Sequence, residues 1–359
     1  MSVRNSAGQT AIVDVHAHVL LPALQQLVAE ADPEGFGAQQ ALEVKRNGPD
    51  SMAASGRMIK ERWPQLTDLD RRLEDMDAQG VDVQLVSPSP SHFYYFAGEE
   101  LALKVAKAAN QAVREFVDRA PERLNGLGLV PLQHPALMVE ALDHAMLECG
   151  LLGVEIGSFA ATPADPERST VELSDDRLEA FWSRAEELDA LVFLHPFGCS
   201  LDERLDRFYL ANTVSQPAEN AVALSHLIFS GVLDRHPDLK VLAAHGGGYL
   251  PSSLGRSDHA WKVRPEAHGC VQQPSSYLKK IYFDSLVHSA AELCALVAAA
   301  GSERVLLGSD YPFDMGSVRP VEGVHSAGLT TEDAASLLAG NASALGISAS
   351  ALRPDRPKV

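Results

Sequence analysis

The sequence predicts an α/β fold, a (β/α)8 TIM barrel with a small insertion after the first strand. Three observations carry this: eight short, β-branched apolar runs recur along the chain, helix-patterned segments separate them, and no GxGxxG follows the first run. Strands that are apolar almost throughout belong to a parallel sheet buried on both faces. The missing glycine fingerprint argues against an open dinucleotide-binding sheet. At 359 residues the chain exceeds an ordinary domain, but α/β barrels run this long as one unit, so residues 1–359 are read as one domain.

The elements follow in order. The first strand, IVDVHAH at 12–18, leads into polar, Gly- and Pro-bearing sequence at about 21–66, read as an insertion that caps the barrel mouth. The amphipathic segment DLDRRLEDMDAQG then precedes a second strand at 81–89, and ELALKVAKAANQAVREFVDRAP precedes a third at 124–132. A fourth strand at 152–158 is followed by SDDRLEAFWSRAEELD, where Ser174 or Asp175 caps a helix with Leu178, Phe181, Trp182 and Ala185 on one face. The fifth strand, at 191–197, opens a second irregular stretch at 199–220; strands six to eight are read at 239–247, 280–286 and 304–312. The polar, Pro-bearing end at 348–359 is expected to be peripheral.

Composition removes several classes of function. Lys and Arg number 30 against 48 Asp and Glu, a net charge of −18, so the chain has no electrostatic affinity for DNA, RNA or anionic lipid. No window reaches the roughly 18–20 apolar residues of a membrane span, and the N-terminus lacks a secretory pattern. Cys149, Cys199, Cys270 and Cys294 are scattered, without a CxxC pair. That usage fits a reducing, cytoplasmic setting.

Polar groups gather where the strands end. His16 and His18 alternate at the end of strand one, so both imidazoles face one side of an extended backbone. His195, His245 and Asp310 end strands five, six and eight. Barrel strand ends converge on the face where active sites are built. Three imidazoles and a carboxylate around one centre suit a divalent ion such as Zn²⁺, with a position left for water. Taken singly, each has an ordinary reading: a surface HxH pair, a hydrogen-bonded core histidine, a turn histidine before glycines, an Asp that caps a helix. Their arrival at the same end of successive strands favours the metal centre. His92, just past strand two, is a candidate substrate contact, and Asp284, at the end of strand seven, a candidate support for a ligand.

The motifs DVHAH, FLHPF, AHGGG followed by LGRSDHAW, LLGSDYPF and GNAS, in that order between about 12 and 347, resemble the amidohydrolase superfamily. More narrowly, the chain is similar to the branch typified by 2-amino-3-carboxymuconate-6-semialdehyde decarboxylase. The resemblance implies one divalent metal, Zn²⁺ first and Mn²⁺ as the alternative, held by His16, His18, His195 and Asp310. It implies that His245 is the acid/base beside the metal-bound water, and that no organic cofactor is used. Relatives with two metals carry a carboxylated Lys after strand four; LGVEIGSF has Glu155 there and no Lys, so one metal is expected, with Glu155 read as a supporting or structural carboxylate rather than a bridging ligand.

The same resemblance implies that Arg256 and Arg264 hold substrate carboxylate, one of them reaching in from the neighbouring subunit of a homodimer. It also points to Arg57 in the insertion, with Arg62 competing, and to Phe313 as a pocket aromatic. The function expected is metal-dependent, non-oxidative decarboxylation of an unsaturated or aromatic carboxylic acid. The alternative is a hydrolase or hydratase of a ring-cleavage product, in which solvent oxygen stays in the product. A barrel kept as a binding scaffold is disfavoured, because the whole metal and acid/base set is present.

Overall fold

Short apolar runs, too brief for helices and too hydrophobic for loops, become the parallel strands of a closed barrel, each two to seven residues long. A computed structural model describes residues 10–161, 170–198 and 200–347; Cys199 and the tail at 348–359 lie outside them. The strands are β1 (Val13–Val19), β2 (Val83–Pro88), β3 (Leu124–Gly126 and Gly128–Leu129), β4 (Gly153–Ile156), β5 (Leu191–Leu194), β6 (Lys240–Ala243), β7 (Tyr282–Asp284) and β8 (Val305–Leu306). Each pairs in parallel with the next. β3 is interrupted at Leu127, whose amide still donates to Val86 O at 2.9 Å.

The ring closes between the segment after β8 and β1. Val15 N donates to Leu307 O, Asp310 N to His16 O and His18 N to Tyr311 O, each at 2.8 Å. Strands β1, β2, β4 and β5 are buried at every position, as their uninterrupted apolar character requires. One apolar cluster draws Val13, Val15, Val83, Leu85, Leu127, Phe193, Leu242 and Leu306 from around the ring and fills the barrel. A larger cluster packs the strands against the outer helices.

The strands end earlier than the sequence suggested. Strand eight stops at Leu306 rather than Pro312, because the chain turns inward: a Cβ on Gly308 would lie 2.6 Å from the Asp284 Cβ and 3.1 Å from that of His16. Strand six stops at Ala243, and His245 lies beyond it in a turn. The segment at 21–66 is helical, not loop-like: α1 (Pro22–Ala31), α2 (Pro33–Asn47), α3 (Pro49–Glu61) and α4 (Trp63–Thr67). Each carries proline at its first or second position, where a missing N–H costs nothing. The prolines that looked like loop punctuation are helix openers.

The insertion docks on the stretch after β5. Lys45 pairs with Glu203 at 3.1 Å, and the Gly48 backbone (φ +78°) approaches Asp206 so closely that a Cβ would lie 1.9 Å from its carbonyl oxygen. The next helices follow their apolar stripes. In α5 (Leu69–Gln79) Leu69, Arg72 and Met76 are buried, and in α6 (Glu99–Val117) the stripe runs from Ala102 to Val117. Asp175 accepts from Arg177 N at 2.9 Å, leading into α7 (Glu179–Glu187), which buries Phe181, Trp182 and Ala185. No helix among the described residues is long and apolar enough to cross a membrane.

Candidate metal centre and active site

The local network around β1 aims its histidines. The register with β2 breaks between Asp14 and Ala17. At that break the Asp14 carboxylate accepts from His16 N (3.1 Å), Gln84 Nε2 (2.9 Å) and Ser309 N (3.0 Å), tying β1 to β2 and to the segment that carries Asp310. Buried Arg72 of α5 donates to Gln84 Oε1 at 2.6 Å and to the His18 carbonyl, with its guanidinium 4.8 Å from the Tyr311 ring centroid.

Each imidazole of the HxH pair, and that of His195, has its Nδ1 engaged. His16 Nδ1 lies 2.6 Å from Asp284 Oδ2, His18 Nδ1 3.2 Å from Ser87 Oγ, and His195 Nδ1 3.0 Å from Pro196 O. With Nδ1 donating, Nε2 presents a lone pair, the tautomer a metal ligand requires. The Nε2 atoms of His16 and His18 are 3.1 Å apart, a separation at which two lone pairs repel unless a proton or cation lies between them. Asp310 Oδ1 is 3.4 Å from His16 Nε2 and 3.3 Å from His18 Nε2, and Oδ2 is 3.7 Å from His245 Nε2. The His195 ring centroid stands 5.0 Å from that of His18 and 4.9 Å from that of His245.

The donor set fits a divalent metal. His195 Nε2 and Asp310 Oδ1 are buried without a hydrogen-bond partner, although both belong to a polar cluster. One ligating atom each from His16, His195, His245 and Asp310 lie within 4.8 Å of one another, and His18 joins them by its contacts with His16 and Asp310. Electrostatics agree. Burial and the imidazoles of His245, His18 and His16 hold His195 well below the ordinary histidine range. Burial opposes ionisation of Asp310, yet His16 and the other imidazoles hold its carboxyl well below the usual carboxylate range. Burial also works to lower His16, but Asp310 and Asp284 prevail and push it up to about 10. The centre therefore demands positive charge, and a cation supplies it where a proton otherwise would.

His245 and Asp310 both adopt left-handed backbone, with φ of +53° and +56°. The turn that carries His245 continues through three glycines; at Gly248 (φ +62°) a Cβ would lie 2.2 Å from Pro217 O. Asp284 pins this turn as well as His16, accepting from His245 N (2.8 Å) and Gly246 N (2.9 Å). His245 and Asp310 line a cavity of about 510 Å³, walled by Asn212, Gln216, Tyr249 and His288 among others, with no arginine or lysine among the described residues that line it.

The other expected site residues are distributed differently. The Phe313 ring lies 5.5 Å from that of His18 and shares a smaller cavity of about 250 Å³ with Arg62. Arg57 is exposed on α3. Arg256 is exposed on α8 (Leu250–Val263), and Arg264 ends that helix in an exposed pair with Glu266. His92, read as a substrate contact, is buried with both ring nitrogens engaged: Nε2 accepts from Leu21 N at 2.9 Å and Nδ1 lies 3.1 Å from Tyr94 Oη. These contacts tie the loop after β2 to the start of the insertion, and burial lowers the His92 pKa to about 3. Asp14, Arg72, Gln84 and Ser309 were missed by sequence reasoning; the one available signal was that Arg72 falls on the buried stripe of its helix.

Comparison with known proteins places these features in context. The family model described as amidohydrolase matches residues 13–345. The chain is 33% identical over 335 residues to a 2-amino-3-carboxymuconate-6-semialdehyde decarboxylase of Dictyostelium discoideum, covering 92% of this chain and 90% of that protein. It is 29% identical over 254 residues to a gamma-resorcylate decarboxylase of Rhodococcus jostii (strain RHA1), covering 68% and 77%. Among solved structures, 2,6-dihydroxybenzoate decarboxylase complexed with 2,6-dihydroxybenzoate aligns with a TM-score of 0.77 at 22% identity, over 94% of this chain and 99% of that one. The manganese-bound 5-carboxyvanillate decarboxylase of Novosphingobium aromaticivorans aligns with a TM-score of 0.76 at 19% identity, over 96% and 99%. At such identities the structural matches establish the fold.

Proposed function

The chain belongs to the amidohydrolase family, and from that premise we propose that it is a metal-dependent, non-oxidative decarboxylase, a carboxy-lyase for an unsaturated or aromatic carboxylic acid. The observation that carries the reading is the convergence of the His16, His18, His195 and His245 rings on the Asp310 carboxylate, with His245 and Asp310 lining a cavity and His195 Nε2 and Asp310 Oδ1 without a hydrogen-bond partner. The relatives named above supply the reaction class.

In this proposal His16, His18, His195 and Asp310 hold one divalent metal, Zn²⁺ before Mn²⁺. When bound, such an ion supplies a Lewis acid for a substrate oxygen. The chain's own groups do the rest. When the bond to the carboxylate carbon breaks, CO₂ leaves and the electron pair stays on the former carboxyl-bearing carbon, which must gain a proton. In this proposal His245, which lines the cavity and whose backbone amide donates to Asp284, delivers that proton. Phe313, beside His18, gives an aromatic face for a planar substrate.

Substrate anions need fixed cations, and no lysine or arginine is found among the described residues that line the cavity. We therefore assign Arg256 and Arg264 to a homodimer in which the neighbouring subunit supplies a guanidinium, with Arg57 or Arg62 contributing from the insertion. The chain acts as a single cytoplasmic domain, 1–359, capped at about 21–66. Its first candidate substrate is the aminocarboxymuconate semialdehyde, followed by dihydroxybenzoates. The test is a panel of such acids incubated with metal-loaded protein in H₂¹⁸O. One equivalent of CO₂ with no ¹⁸O in the organic product is expected; ¹⁸O in a product that keeps all its carbons would instead establish the hydrolase or hydratase.

A further inference from the structure

The loop after β7 brings a second histidine to the cavity that His245 and Asp310 line. His288 borders the same space of about 510 Å³. Among the described lining residues it and His245 are the only basic side chains, and Asp310 and Glu292 are the acidic ones. His245 and Asp310 have tasks in the proposed reaction. His288 has none.

Its backbone separates it from an ordinary surface histidine. Seven described residues other than glycine have positive φ, and three of them line this one cavity: His245 (+53°), His288 (+58°) and Asp310 (+56°). Left-handed backbone is unfavourable for a residue with a Cβ, persists only where its surroundings impose it, and clusters at ligand sites. The surroundings are in place on both sides of His288. Upstream, Leu286 N donates to Asp284 Oδ1 and Val287 N to Ser285 O, each at 3.0 Å. Asp284 is the carboxylate that also holds His16 and the His245 turn. Downstream, Ser289 caps the helix Ala290–Ala300, its Oγ accepting from Glu292 N at 3.4 Å. His288 is therefore held between a loop tied to the metal centre and a capped helix.

The imidazole held in this way is exposed and makes no hydrogen bond, ion pair or ring contact among the described residues. Glu292 shares the cavity wall without pairing to it. An imidazole carries at least one N–H in either ionisation state, so it can donate whatever its charge. Donation to a carboxylate is charge-assisted and stronger than to a neutral acceptor. The cavity volume is in the range that takes a ring with substituents.

We propose that His288 is a substrate-binding residue that donates a hydrogen bond to a second anionic group of the substrate, one the metal does not hold. The substrate class is thereby narrowed to planar acids with two anionic groups. This rests on the reading of the cavity as the site of a carboxylic acid, but not on the loss of CO₂.

The test is binding of unreactive acids, benzoate and the three benzenedicarboxylates, to Zn²⁺-loaded protein by titration calorimetry. Wild type is compared with His288→Gly, which takes positive φ freely, His288→Ala, which guards against a loosened loop, and His288→Arg, which restores a donor. Wild type should bind the best dicarboxylate about 10-fold more tightly than benzoate, beyond the twofold that two equivalent carboxylates give statistically. His288→Gly and His288→Ala should lose that margin and keep their affinity for benzoate, while His288→Arg retains a preference. A wild type without the preference would overturn the inference. So would unchanged dicarboxylate affinity in the Gly and Ala variants, or an equal loss for both kinds of acid. A wild type that shows the preference but releases no CO₂ from any acid would sink the decarboxylase reading and leave the role of His288 standing.

Discussion

His245 and Asp310 share left-handed backbone and one cavity, but the account gives them different tasks, and substitution separates those tasks. Asp310→Ala removes the one carboxylate that reaches His16, His18 and His245, so metal content and activity should fall together; full metal content by elemental analysis would show that the centre lies elsewhere. His245→Ala should keep metal bound while turnover drops by about 10²-fold or more. His92 makes a separate prediction about pH. Its folded pKa of about 3 lies below the unfolded value near 6.5, so the unfolded chain binds more protons between those limits and stability rises with pH there. The contribution is fully present above pH 6.5 and is lost as pH falls toward 3. In urea melts between pH 7 and 4, His92→Gln should therefore show a shallower loss of stability than wild type; parallel pH profiles would contradict this. Most of this chemistry was legible as residues: His16, His18, His195, His245 and Asp310 were all marked by strand-end position. The network that aims them was not. Asp14, Arg72, Gln84 and Ser309 come from four distant stretches, and single-sequence patterns do not register such contacts.

The prolines at 22, 33, 49 and 64 were read with a polar, loop-like insertion, yet each opens a helix. Helices α2 and α3 bury no residue, and each opens on proline and carries glycine inside it, the residues that sequence reading takes for loop punctuation. Strands β6 and β8 were over-extended for a different reason: apolar periodicity persists past the last ladder bond, while the backbone turns inward to deliver His245 and Asp310. Helix α5 shows what joins these elements. Its buried Arg72 bonds to Gln84 on β2 and to the His18 carbonyl on β1, and burial lowers its pKa to about 10, leaving it charged at neutral pH. Arg72→Met leaves those acceptors unpaired in the interior, and should destabilise the fold by about 3–5 kcal/mol. Because the His18 carbonyl is one of them, metal content should fall as well. A variant within 1 kcal/mol of wild type, with full metal content, would remove Arg72 from the support of the site.

For the whole molecule, the net charge of −18 poses a constraint that the structure sharpens. If the substrate is anionic and enters by this cavity, it meets an acidic protein with no lysine or arginine among the described lining residues. Arg256 and Arg264 stand exposed on the helix whose first turns wall that cavity, where a second subunit can meet them. If Arg256 serves the neighbouring site, inactive Arg256→Ala and inactive His245→Ala chains should recover activity when mixed, because one site of each mixed dimer is complete. Verified mixed dimers without recovery would place every substrate contact within one chain. The barrel itself was the most legible feature, because eight buried strands leave a strong apolar signal. A pairing of subunits would leave none.

The central claim, a metal centre that replaces a carboxyl group by a proton, is tested most directly by decarboxylation in D₂O. The metal-free protein and the protein reloaded with Zn²⁺ or Mn²⁺ are each given the carboxylate panel. The account predicts CO₂ release by reloaded protein alone, with one deuterium on the carbon that lost it. Metal-independent release, or turnover that leaves every carboxylate in place, would contradict it.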